Sequence, residues 1–156
     1  MSAADRLRAL LKRAGAPRAS DASRGGVLVM PGCHDAMSAR LIEDAGRRAV
    51  TVPGDIRREE HCQLIIDTAV RELGGIDILV NNAAYQMTQQ GGIEDITTEQ
   101  WDRVLKTNLY AMFWLTKMAV PHLRPGSSII NTASIQATEP SPELLDYATT
   151  KAGIVN

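Results

Sequence analysis

Aromatic residues are scarce: the 156-residue chain has two Trp, three Tyr and one Phe. Its core must come from Ala, Val, Ile and Leu, a composition suited to helices packed on a buried sheet. Charge of one sign is missing too. Seventeen Lys and Arg oppose eighteen Asp and Glu, for a formal net charge of -1. No basic field therefore points to nucleic acid or a membrane surface. No apolar run is long enough to span a bilayer. Cysteine is nearly absent. Cys33 and Cys62 each adjoin a histidine, His34 and His61. Adjacent Cys-His pairs are not the usual spacing of a metal site, so no metal is expected, and both cysteines read as reduced thiols of a cytoplasmic protein.

The N-terminus pairs Arg6, Arg8, Lys12 and Arg13 with an apolar face of Leu7, Leu10, Leu11 and Ala14. Such a start is compatible with an organelle transit peptide, but Asp5 and Asp21 argue for a surface helix instead. Residues 3–14 read as that helix and 15–26 as a polar Gly/Pro/Ser linker, so the domain itself is expected over 27–156. Within it, hydrophobic patterning predicts strands at 27–30, 48–52, 76–80 and 127–134. Helices are predicted from about 35 to 45, from 58 to 73, from about 98 to 123 and from Glu143 onward. Thr97 or Thr98 can cap the long helix, and Gly74-Gly75 end the one before it. Strands alternating with helices imply parallel β-α-β units in an open α/β sheet of about four strands.

Open parallel sheets bind ligands beyond the carboxyl ends of their strands. Asp55 follows the strand at 48–52, Asn81 and Asn82 end the next, and Ser134 ends the last. Tyr147 and Lys151 lie four residues apart on the following helix, hence on one face. Asn108 interrupts the apolar face of the long helix. Each has a plain structural explanation: Asp55 can cap a helix, the Asn pair can serve a turn, Ser134 can be any strand-end hydroxyl, and Asn108 can satisfy a buried carbonyl.

Together they resemble one family. From Gly46 onward, "PGDI", "DILVNNAA", "VLKTNLYAMF", "SIINTASIQ" and "YATTK" stand in the order and at the spacings of the short-chain dehydrogenase/reductases. "QQGGIEDIT" and "INTASI" are most similar to the general-stress or aldehyde-reducing bacterial branch. The resemblance implies an incomplete Rossmann-like, doubly wound parallel sheet in a three-layer α/β/α sandwich. It implies a catalytic tetrad of Asn108, Ser134, Tyr147 and Lys151, with Tyr147 as acid/base on a small alcohol or carbonyl substrate. An ordinary tyrosine ionises near ~10, and a neighbouring ammonium favours its phenolate. Ser134 would hold the substrate oxygen, Lys151 the nicotinamide ribose, and Asn108 a water that relays protons to Lys151. The implied cofactor is NAD or NADP, with Asp55 and Ile56 on its adenine side and Asn81 and Ala83 lining its cleft, alongside Tyr147 and Lys151. Homo-oligomers through the long helices are also implied.

The family's glycine-rich phosphate turn is missing. Gly25-Gly26 precede a strand rather than follow one, and Gly32 stands alone. In its place "LVMPGCHDAMSARLIEDAG", 28–46, resembles the opening strand and helix of the isocitrate lyase/phosphoenolpyruvate mutase family. A helix N-terminus near Asp35 suits an anion. The carboxylate of Asp35 and the crowding of Pro31 and Cys33 make it read as a packing unit instead. The chain is thus expected to join a barrel-derived β-α unit, 27–46, to a dehydrogenase core, 46–156, with further elements missing after Asn156. Three functional readings follow: an NAD(P)-dependent oxidoreductase, impaired by truncation; an inactive fused or truncated remnant that binds no cofactor; and a carbon–carbon lyase.

Overall fold

A computed structural model describes the backbone at Leu28–Val29 and residues 50–156 in full. The expected helices at 3–14 and 35–45, the linker, and the segment around Pro31–Asp35 lie outside the described residues.

β1 (Leu28–Val29) falls in the first predicted strand. α1 (Glu59–Leu73) buries Cys62, Ile65, Ile66 and Ala69, the stripe expected of an amphipathic helix. Arg58 holds its N-cap position with no side-chain cap, so Asp55 does not cap this helix. Gly74 ends it at φ 85, a left-handed conformation that a Cβ would disfavour, with its N–H bonded to Val70 O at 3.0 Å. β2 (Ile76–Asn81) follows at once, buried along nearly its whole length.

α2 (Thr98–Leu105) starts as predicted, with Thr97 Oγ1 accepting from Gln100 N at 3.1 Å. The rod continues through a π-helical turn, Lys106–Tyr110, into α3 (Ala111–Ala119). A 3-10 turn, Val120–His122, closes it, since Pro121 cannot donate to the ladder. β3 (Leu123–Asn131) begins four residues earlier and ends three earlier than the 127–134 expected. After a 3-10 turn at Pro142–Leu144, α4 (Leu145–Val155) carries Tyr147 and Lys151.

The described strands pair in the order β1-β2-β3, all parallel. Leu28 aligns with Ile78 and Val29 with Leu79; on the other side Leu79 aligns with Ile129 and Asn81 with Asn131. Of the strand expected at 48–52, residues 48 and 49 lie outside the described residues; the rest is a correction, since residues 50–53 form no ladder and Val50 and Thr51 are exposed. Extended chain without a paired neighbour leaves its backbone to water, and Pro53 has no N–H to give. The described sheet therefore has three strands rather than about four.

α1 and α3 pack on β2 and on each other, so they share one face of the sheet. Their common core joins Ile66, Leu79 and Ala119, all 0% exposed, with Ile76 and Leu115. Burying an Ile such as Ile66 contributes about 1.5–3 kcal/mol. The architecture is a Rossmann-like α/β sheet, present in part. Among the described residues the opposite helical layer of the three-layer expectation is not seen.

Candidate active site at the carboxyl ends of the strands

β2 and β3 stop side by side, and their ends are tied together. Thr132 N donates to Asn81 O at 3.0 Å, and Thr132 Oγ1 donates to Asn82 Oδ1 at 3.0 Å. Asn81 Nδ2 donates to Asn131 Oδ1 at 2.9 Å and to Thr116 Oγ1 on α3 at 3.2 Å. The Asn pair thus serves turn bonding, as its plain reading expects. Asn81 Oδ1, however, is buried with no partner. It belongs to a cleft lined also by Ile56, Ala83, Asn108, Thr132 and Lys151.

Asn108 is 2% exposed and sits in the middle of the π-turn. Its Oδ1 accepts from Tyr85 N at 2.7 Å; its Nδ2 donates to Tyr85 O at 3.0 Å and to Thr150 Oγ1 at 2.9 Å. One amide side chain therefore holds the loop after β2 to the helix of Tyr147. The extra residue of a π-turn widens the helix locally, a feature frequent at functional sites.

Lys151 is 2% exposed, and its Nζ donates to Thr132 O at 2.6 Å. Burial disfavours the ammonium and lowers its pKa below the ordinary lysine value. The same Nζ lies 5.5 Å from the ring centroid of half-buried Tyr147. Ser134 caps a 3-10 turn, Ile135–Ala137, that packs against α4; its Oγ accepts from Gln136 N at 3.2 Å. A hydroxyl that accepts there keeps its own proton to donate elsewhere.

The structure thus places Tyr147 and Lys151 on α4, Asn108 against Thr150 of the same helix, and Ser134 on the 3-10 turn that packs on it; Asn108 and Lys151 line the cleft, and Tyr147 and Ser134 do not. Ile56, Asn81 and Ala83 line the cleft, whereas Asp55 turns aside. Its carboxylate forms a fork with Arg57, 2.9 Å and 3.0 Å to Nε and 2.6 Å to Nη2, and accepts from Arg57 N at 3.0 Å. Those hydrogen bonds hold the Asp55 pKa down to about 2.

Three participants escape sequence reasoning. Thr132 offers a backbone carbonyl, which no side-chain pattern marks. Thr150, fully buried, is the hydroxyl between Asn108 and Tyr147; its Oγ1 donates to Tyr147 O at 2.7 Å. Asp146, 1% exposed, is a buried carboxylate at the start of α4.

With this geometry in place, comparison with known proteins decides the family. The family model for short chain dehydrogenases matches residues 27–156. The chain belongs to the short-chain dehydrogenase/reductase family. General stress protein 39 of Bacillus subtilis is 47% identical over 115 residues, covering 74% of this chain and 40% of that protein. NADPH-dependent aldehyde reductase 1, chloroplastic, of Arabidopsis thaliana is 40% identical over 109 residues, or 70% of this chain and 38% of that protein. Among solved structures, the 3-ketoacyl-(acyl-carrier-protein) reductase of Brucella melitensis, complexed with NADH, superposes with a TM-score of 0.71 at 29% identity. That superposition covers 84% of this chain and 57% of the other.

The short-chain dehydrogenase/reductase match starts at residue 27. It takes in the 28–46 segment that resembles a barrel lyase, and a lyase function is left without support. The chain spans about two fifths of the length of the curated relatives it matches, 40% of each of the first three. No described helix is long and apolar enough to cross a membrane, and no cluster of metal-ligating side chains occurs among the described residues.

Proposed function

We propose that the chain is an NAD(P)-dependent oxidoreductase that interconverts a small carbonyl compound and its alcohol, with Tyr147 as the acid/base. The observation that carries this reading is the buried Lys151 ammonium, 5.5 Å from the Tyr147 ring and lining a cleft that mixes apolar side chains with Asn81, Asn108 and Thr132. The cleft suits a hydroxylated ligand: the unpartnered Asn81 Oδ1 can accept from a ribose hydroxyl, and Ala83 leaves room beside it.

In the carbonyl direction, the Tyr147 phenol gives its proton to the substrate oxygen. Ser134, whose Oγ already accepts from Gln136 N, turns its own proton to the same oxygen. Lys151 supplies positive charge beside the phenol, and Thr132 O fixes where that charge sits. Asn108 holds the turn of α4 between them, through Thr150, and would hold a water that relays protons to Lys151. When bound, the nicotinamide supplies the hydride that reduces the carbonyl carbon. Ile56, Asn81, Ala83 and Lys151 would hold that cofactor, with Asp55 near its adenine end. The aldehyde-reducing relative supports aldehydes as the substrate class.

The reading extends to a homo-oligomer and a cytoplasmic setting. Tyr110 (50% exposed), Phe113 (60%) and Val120 (55%) form an apolar surface on the long helix that suits self-association. Cys62, a free buried thiol, suits a reducing compartment.

Titration with NADPH and with NADH, followed by nicotinamide fluorescence, tests the binding step. Saturable enhancement supports the reading. A flat trace from folded chain supports the rival, a remnant that keeps the tetrad residues without binding cofactor.

A further inference from the structure

One buried charge has no part in that chemistry. The Asp146 carboxylate is 1% exposed, and its bonded partners are all neutral. Oδ1 accepts from Tyr147 N at 2.7 Å. Oδ2 accepts from Gln100 Nε2 at 3.0 Å and from Gln89 Nε2 at 3.3 Å. Gln89 is itself 4% exposed, and its Nε2 also donates to Met87 O at 2.6 Å, while its N donates to Glu143 O at 2.9 Å. The carboxylate therefore joins three elements: the loop after β2, the first turn of α2 and the first turn of α4. Burying an unpaired carboxylate is costly, so its donors and the favourable end of the helix dipole must offset a real penalty.

The gain falls on one residue. Tyr147 N–H is one of the orphan donors of the first helical turn, and Asp146 satisfies it. Tyr147 C=O is bound at the other side by Thr150 Oγ1, which Asn108 in turn holds. Both backbone groups of Tyr147 are thus bonded to buried side chains, which fixes the backbone from which its ring projects.

We propose that Asp146, with Gln89 and Gln100, is a positioning residue that holds the Tyr147 ring beside Lys151. The proposal rests on Tyr147 being the acid/base. The test compares Asp146→Ala with Asp146→Asn in two readouts. Asparagine keeps a carbonyl acceptor for Tyr147 N–H; its new N–H₂ faces the Gln100 and Gln89 amides, which must rotate to accept from it, Gln89 giving up its bond to Met87 O. Alanine keeps no polar group at all.

In the first readout, reductase kinetics, Asp146→Ala lowers kcat by ~10-fold or more with KM within ~2-fold, because sub-ångström misplacement is expensive in the transition state. Asp146→Asn restores kcat to within ~3-fold of wild type. In the second, the nuclear Overhauser effect between the Tyr147 ring and the Lys151 side chain is lost in Asp146→Ala and kept in Asp146→Asn. This second readout needs no turnover, so a wild-type chain without activity overturns the oxidoreductase reading and leaves the positioning claim to the ring contact. If Asp146→Ala fails to fold, Gln100→Leu takes its place; it removes one donor and weakens the same contact. Equal kcat and an intact ring contact in every folded variant overturn the proposal, as does a loss of thermal stability with both readouts unchanged.

Discussion

The Asn108 side-chain amide donates to Thr150 Oγ1 across 2.9 Å, linking the π-turn of the long helix to the turn of α4 between Tyr147 and Lys151. The two residues are 42 apart in sequence, and both are buried. Asn108→Ala strands the Tyr85 N–H and C=O and removes the donor to the Thr150 hydroxyl, which keeps only its bond to Tyr147 O; it is expected to cost about 2–4 kcal/mol of unfolding free energy. Thr150→Val is expected to cost about 1–2 kcal/mol. Urea unfolding of both single variants and the double variant should give a coupling energy of at least about 0.5 kcal/mol. Strict additivity would mean that the bond contributes nothing.

Lys151 gives stability a pH dependence of known sign. Burial lowers its folded pKa beneath the unfolded value of 10.5. Between the two values the unfolded chain binds the proton more strongly, so stability rises with pH through that window. Below the window both states hold the proton, and the buried charge remains a fixed cost. The difference in urea midpoint between wild type and Lys151→Met should therefore shift in favour of wild type as pH climbs from neutral toward 10.5. Parallel curves would show that the ammonium is not desolvated.

Asp55 behaves in the opposite sense. Its folded pKa of about 2 lies below the ordinary carboxyl value of 3.8, so its contribution is present above 3.8 and is lost as pH falls toward 2. Both side chains of the pair are 41% exposed, so salt should shrink the effect. Carboxyl NMR titration should find the Asp55 midpoint near 2, and Arg57→Gln should bring it back toward 3.8. A midpoint unchanged by that substitution would remove Arg57 as the cause.

Phe113 carries the self-association claim. It is 60% exposed, with Lys117 Nζ 5.9 Å from its ring centroid. Sedimentation velocity should show the wild-type chain as an oligomer and Phe113→Glu as a smaller species. Identical sedimentation of the two would clear that face of the role.

Much of this was legible from the residues. α1, β2 and the Thr97 cap follow from apolar spacing and local capping chemistry, which act over a few residues. Asn108 was visible as a polar break in an apolar face. The failures share a cause: they depend on partners distant in the chain. Residues 50–53 look like a strand but form no ladder, and a strand exists only by pairing. β3 runs back through Pro125 and Gly126, before the start expected at 127, because β2 offers it a ladder with an irregular register between Ile76 and Ile78. Asp146 meets its glutamines 46 and 57 residues away; Gln89 opens the "QQGGIEDIT" stretch, but nothing local marks it or Gln100 as a partner of a buried carboxylate.

The most direct test measures NADPH and NADH oxidation at 340 nm with short-chain aldehydes, for wild type and Tyr147→Phe. Turnover by the wild type and a kcat at least ~100-fold lower in a Tyr147→Phe chain of unchanged circular dichroism are expected. Equal rates from the two proteins would contradict the assignment of Tyr147 as the acid/base.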